Sequence, residues 1–141
     1  MGEARELKVK ALLATWAKLP ADMRDDTNIS IAIIKFVLGE AWLLKHILPD
    51  TKTPSLFTVG GTVLEQNVAR VRIVDFAESI FNLRHISGLD GCIERLKTAK
   101  TLEPFLAELH IGKMLFVNDW PFKFMRPQGA GGNNYDFEIR Y

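Results

Sequence analysis

The sequence predicts a mostly α protein, about five helices followed by a C-terminal β-hairpin. Three observations predict it. Apolar residues recur at helical spacing through the first two-thirds of the 141-residue chain. Pro20, Pro49 and Pro104 stand where helices would stop or start. The last seven residues then alternate, with Tyr135, Phe137, Ile139 and Tyr141 on one face and Asp136, Glu138 and Arg140 on the other. That is the period of a half-buried strand.

Taken in order, "ELKVKALLATWAKL" places Leu7, Leu12, Leu13, Trp16 and Leu19 near one stripe, and Pro20 closes the helix. "PADMRDDTN" reads as a polar turn, after which Asn28 caps a second helix running to about Leu48. Pro49, Pro54 and a glycine pair mark the following segment as a loop with one extended piece. Thr62 and Glu65 have capping-box spacing at the head of a third helix, whose apolar face is Val63, Leu64, Val68, Val71, Ile80 and Phe81. "SGLDGCIERLKTA" is a short helix capped by Ser87, with Leu89, Ile93 and Leu96 inward. The last helix, "TLEPFLAELHIGKMLFVND", takes Thr101 as its cap and tolerates Pro104 because the first turn needs no backbone donor there.

From Trp120 the character changes. "PFKFMRP" is a short strand with Phe122 and Phe124 on one side, "QGAGGNN" a turn, and "YDFEIRY" the return strand. A two-stranded hairpin is marginal alone and an open edge invites pairing, so the last strand expects a neighbour. A partner chain, a second copy, an earlier segment or further chain would supply it. The expected organisation is a helical bundle over 1–100 and, over 101–141, an incomplete α/β element packed on it.

Composition excludes several classes. Hydrophobic residues at 48% and charged residues at 25% can bury an ordinary core, which rules out a disordered chain. A net charge of +1 creates no global attraction to nucleic acid or acidic lipid. With Cys92 as the single cysteine, neither an internal disulfide nor a cysteine metal cluster can form, and Cys92 reads as a small core residue. The charged N-terminal residues lack signal-peptide character. "ISIAIIKFVLGEAWLLKHIL" is long enough to span a bilayer but contains Lys35, Glu40, Lys45 and His46, so a buried helix in a cytoplasmic protein is expected.

The candidate chemistry lies around the hairpin. Glu108 is mid-helix and Asp136 begins the last strand, where it shares a face with Glu138. Carboxylates from a helix and a neighbouring strand can converge on one divalent cation, which prefers hard oxygen donors and can activate water at a phosphodiester. The ordinary alternative is that Asp136 and Glu138 face solvent while Glu108 pairs with a neighbouring cation.

The stretch from Phe76 to Ile139, with "AEL" on a helix ahead of "F.F" and "YDFEI", resembles a group of uncharacterised bacterial proteins. Their C-terminal part is similar to the restriction-endonuclease-like fold of the PD-(D/E)XK superfamily. The resemblance implies a helix, a strand, a turn, a second strand with the first acid, and a third strand carrying acid-x-lysine. Matched by position, Glu108 is the helix acid and Asp136 the second-strand acid, together holding Mg2+. No residues beyond Tyr141 supply the third strand, Tyr135 replaces a proline, and Asn134 stands where the group often has aspartate. The expectation is therefore the N-terminal portion of a nuclease-like protein, with Mg2+ bound only when the third strand is supplied and no activity from this portion alone.

Other signals are weaker. "GAGGNN" lacks the strand-to-helix context and lysine of a phosphate loop, and Gly129, Gly131, Gly132 and Asn133 suit a hairpin turn. His46, His85 and His110 have no metal-ligand spacing. Lys113, Lys123, Arg126 and Arg140 are interleaved with Trp120, Phe122 and Tyr135, a pattern able to contact a nucleic-acid strand. The competing reading is a non-enzymatic module that pairs its open strand with a partner or a second copy.

Overall fold

The structure, a computed structural model, describes residues 2–46, 62–125 and 137–140. Among these are six helices and one antiparallel hairpin: α1 (Glu3–Trp16), α2 (Ala21–Leu38), α3 (Glu40–His46), α4 (Val63–Asn82), α5 (Leu89–Thr98), α6 (Glu103–Val117), β1 (Phe122–Phe124) and β2 (Phe137–Ile139). The mostly α class with a C-terminal hairpin is as the pattern predicts. The Pro49–Gly61 loop, the glycine turn and Asp136 lie outside the described residues. The chain divides into two compact units, Met1–Ala77 and Glu78–Tyr141.

In the first unit, "PADMRDDTN" is helix and not turn. Pro20 sits just before α2, its carbonyl accepts the Arg24 N–H at 2.8 Å, and Asp22 lies in the first turn, where the helix dipole favours an anion. Asn28 is therefore interior and caps nothing. The apolar run that reads as one helix to Leu48 breaks at Gly39, whose φ of 95° suits glycine, and α3 leaves at 114° to α2. No single helix among the described residues is long and apolar enough to cross a membrane.

One predicted stripe is rotated in the structure and another loses a single member. In α1, Trp16 is buried and Leu12, Leu13 and Leu19 are half-buried as the spacing predicts, with Val9 buried on the same side, while Leu7 is exposed. Ala69, Ile73, Phe76, Ala77 and Ile80 form the buried face of α4, while Val63, Leu64, Val68, Val71 and Phe81 are exposed. The cause is room: small Ala69 and Ala77 permit close packing, and Phe76 stacks on Trp42 at 5.9 Å. The rest of this core is Ile31, Ile34, Leu38 and Leu43.

The capping box opening α4 is present on both sides. Thr62 N–H donates to Glu65 Oε2 at 2.9 Å, and Glu65 N–H donates to Thr62 Oγ1 at 3.2 Å. Thr62→Ala is expected to cost about 1 kcal/mol in urea unfolding, because the first turn loses a donor's partner. At the surface of α1, Lys10 meets Glu6 at 2.6 Å. That hydrogen bond, followed by the Glu6 charge, raises the Lys10 pKa. An exposed pair of this kind adds little stability.

Candidate functional site at the hairpin

The second unit positions the hairpin through α5 and α6. Leu89, Cys92, Ile93 and Leu96 form the buried face of α5, as their spacing predicts. Ser87 does not cap that helix. Gly88 precedes it in left-handed conformation, φ 88°, and no side chain caps the first turn. The Ser87 carbonyl is spent elsewhere, accepting the Phe124 N–H of β1 at 2.9 Å. Thr101 likewise gives way: Leu102 stands at the head of α6, without a side-chain cap, and Pro104 occupies the first turn as expected.

The other end of α6 is closed by a Schellman motif. Asp119 N–H donates to the Phe116 carbonyl at 3.1 Å and Trp120 N–H to the Leu115 carbonyl at 3.0 Å, with Asp119 at φ 54°. This reversal sends Trp120 and Pro121 into β1.

β1 and β2 pair antiparallel, Phe122 opposite Ile139, Lys123 opposite Glu138 and Phe124 opposite Phe137. Arg140 N–H donates to the Pro121 carbonyl at 2.8 Å, which makes Phe124–Phe137 a close, non-hydrogen-bonded pair. Their ring centroids lie 5.2 Å apart, and Phe122 is edge-on to Phe124 at 5.7 Å and to Phe137 at 6.1 Å. The opposite face carries Lys123 and Glu138, 3.4 Å apart, with Arg140 at 4.0 Å from the same carboxylate. The predicted alternation of the strands therefore holds at every described position.

This register turns the N–H and C=O of Phe137 and Ile139 away from β1. Among the described residues no backbone group bonds them. The corresponding edge of β1 is covered at Phe124 by Ser87.

Glu108 is 6% exposed on the inner face of α6. Its Oε1 accepts from Arg95 Nη2 of α5 at 3.2 Å, and the Arg95 guanidinium also lies over the Phe105 ring at 5.6 Å. One turn along the same face is Gly112, where a Cβ would stand 2.9 Å from Phe124 Cζ and 3.2 Å from Leu83 Cδ1. A side chain there would push β1 off the helix. Glu108 thus belongs to the helix face that receives β1, already neutralised by a cation from α5.

The described residues contain no group of three or more His, Cys, Asp or Glu side chains able to hold a metal. Glu108 alone offers too few donors for a divalent cation. Of the predicted basic residues, Lys113 pairs with Glu78 at 3.0 Å, and Lys123 and Arg140 share Glu138. A concavity of about 350 Å³ opens beside them, with Phe116, Trp120, Asp119 and Ile86 among its lining. Its rim carries both charge signs, so phosphate attraction there is weak.

Arg95, Gly88 and Gly112 escape a reading of the sequence. Arg95 meets Glu108 across two helices, and helical spacing speaks only for residues on one helix. Glycine in a helix flags close packing without naming the partner. The chain matches no protein-family model, no curated protein and no solved structure.

Proposed function

We propose that residues 103–140 are the opening elements of a restriction-endonuclease-like unit, of the class that hydrolyses phosphodiesters with a divalent cation. The supporting observation is the shared face of α6. Glu108 and Gly112 lie on it, Gly112 packs on Phe124, and the β2 partner of Phe124 is Phe137, the residue directly after Asp136. Helix, strand and second strand thus follow one another in the order the resemblance implies, with α6 packed on β1 and β1 paired with β2. In this class Mg2+ polarises the phosphoryl oxygen and lowers the pKa of bound water. The chain's own contribution is a buried carboxylate on α6, while the lysine and a further acid would arrive on a strand added along Phe137 and Ile139. Without that strand, hydrolysis of nucleic acid is not expected.

The open edge of β2 favours a second reading, an interaction module that completes its sheet with a second copy. One experiment separates the two. Mg2+ is titrated against the chain supplied with an acid-x-lysine strand while the Asp136 amide is followed by NMR, and light scattering of the chain alone is recorded over a range of protein concentrations. The nuclease-like reading expects a saturable shift that Glu108→Gln and Asp136→Asn each weaken by an order of magnitude or more. An amide indifferent to Mg2+, in a chain that dimerises with concentration, would sink it in favour of the module.

A further inference from the structure

The concavity of about 350 Å³ beside the hairpin has the size of a small-ligand site, near the lower end of the usual range of roughly 300–1,000 Å³. All of its lining belongs to the unit Glu78–Tyr141. Its position follows from the strand register. Pro121, Lys123 and Arg140 share the polar face of the hairpin by alternation, and all three line it. The Phe122 ring lies on the other face, against Phe124 and Phe137, so Phe122 reaches the concavity through its main chain. Its N–H and C=O point away from β2, toward the edge where Ser87 covers Phe124. Among the described residues no backbone group bonds them.

The remaining wall comes from the end of α6, where Phe116 is 41% exposed and Trp120 49%. Two large aromatic side chains left half-open on one concavity are a ready surface for a flat apolar group. Charge of both signs stands beside them. Asp119, in the turn that closes α6, has no cation within ion-pair distance among the described residues. Lys123 and Arg140 share the single carboxylate of Glu138, which leaves one positive charge uncompensated. A simple anion would be repelled by Asp119 and a simple cation by the Lys123 and Arg140 pair. A ligand that carries both charges meets neither penalty.

We propose that this concavity binds a small zwitterion with an aromatic body, an α-amino acid with an aromatic side chain. Its ring lies against Trp120 and Phe116, its ammonium at Asp119 and its carboxylate at Arg140 and Lys123, with the Phe122 main chain supplying one further donor and acceptor. No bond is made or broken. The proposal is independent of the metal reading, because a strand added along Phe137 and Ile139 lies on the far edge of β2 and leaves this concavity open.

The test uses the whole chain with L-phenylalanine, followed by NMR at the Trp120 indole Nε1–H, which is identified by its absence from the Trp120→Phe spectrum. A saturable shift with a dissociation constant of about 1 mM or tighter is expected. Phenethylamine lacks the carboxylate and hydrocinnamate lacks the ammonium, and each should bind about tenfold more weakly than the amino acid. Asp119→Asn should weaken phenylalanine about tenfold and leave hydrocinnamate no weaker, while Arg140→Gln should weaken phenylalanine and spare phenethylamine. Asparagine tolerates the φ of 54° at position 119, so the first variant keeps the turn. Equal affinities for the three probes, an Asp119→Asn variant that loses nothing, or no saturable shift up to about 10 mM phenylalanine overturns the proposal.

Discussion

Gly88→Ala is expected to destabilise the chain by about 2–4 kcal/mol, from backbone strain and a clash acting together. At φ 88° the residue occupies left-handed space, where a Cβ meets its own backbone. An alanine Cβ would also press into the Phe124 carbonyl and stand 3.0 Å from the Phe124 Cβ. Neither obstacle can move cheaply. The Phe124 N–H is tied to the Ser87 carbonyl at 2.9 Å, and its ring is wedged against Gly112 and Phe137. Relief would require β1 to leave the start of α5, which breaks the bond that covers its outer edge. Urea unfolding of the two proteins measures the loss, and the amide of Phe124 should lose exchange protection in the variant. A change of a few tenths of a kcal/mol would mean that β1 is not held at this point.

Arg95→Ala should cost about 2–3 kcal/mol. Removing one partner of a fully buried ion pair costs roughly 3–5 kcal/mol, because the remaining charge loses its compensation. Here Glu108 is 6% exposed but the Arg95 side chain is 30% exposed, so water and salt already screen part of the interaction. Truncation also removes the guanidinium from the Phe105 ring. A double-mutant cycle with Glu108→Gln isolates the pair: once the carboxylate is neutral, losing Arg95 should hurt far less. Equal costs in both backgrounds would show that Arg95 acts through packing of its stem and not through charge.

The hairpin shows how far a local pattern reaches. Strict alternation from Tyr135 to Tyr141 anticipates which side of β2 is apolar, and Phe122 and Phe124 do the same for β1, because a strand's side chains alternate whatever surrounds it. The register is another matter. It follows from the Arg140 to Pro121 bond and the ring packing of Phe124 on Phe137, contacts between residues far apart in the chain. At Glu108 the residue types already admit a neighbouring cation as partner, but its identity as Arg95 depends on how α5 lies against α6.

The helices divide in the same way. Apolar spacing within α5 suffices for Leu89, Ile93 and Leu96, because its sole apolar stripe leaves one choice of inner face. α4 is apolar on more than one side, so its spacing is satisfied by two rotations. Packing chose the face with Ala69, Phe76 and Ala77, and carried Arg70 into the interior with it. The capping box at Thr62 and Glu65 was legible because all its atoms lie within one turn.

What the sequence determined by itself is therefore local: the mostly α class, the hairpin and its inner face, the buried face of α5 and the start of α4. These depend on backbone periods and on bonds spanning a few residues. Tertiary structure alone decided the rotation of α4, the pairing of Arg95 with Glu108, the burial of Arg70 and the glycine contacts beneath Phe124. Each depends on the separation between elements, a distance set by the sum of all side chains packed between them and by no single segment.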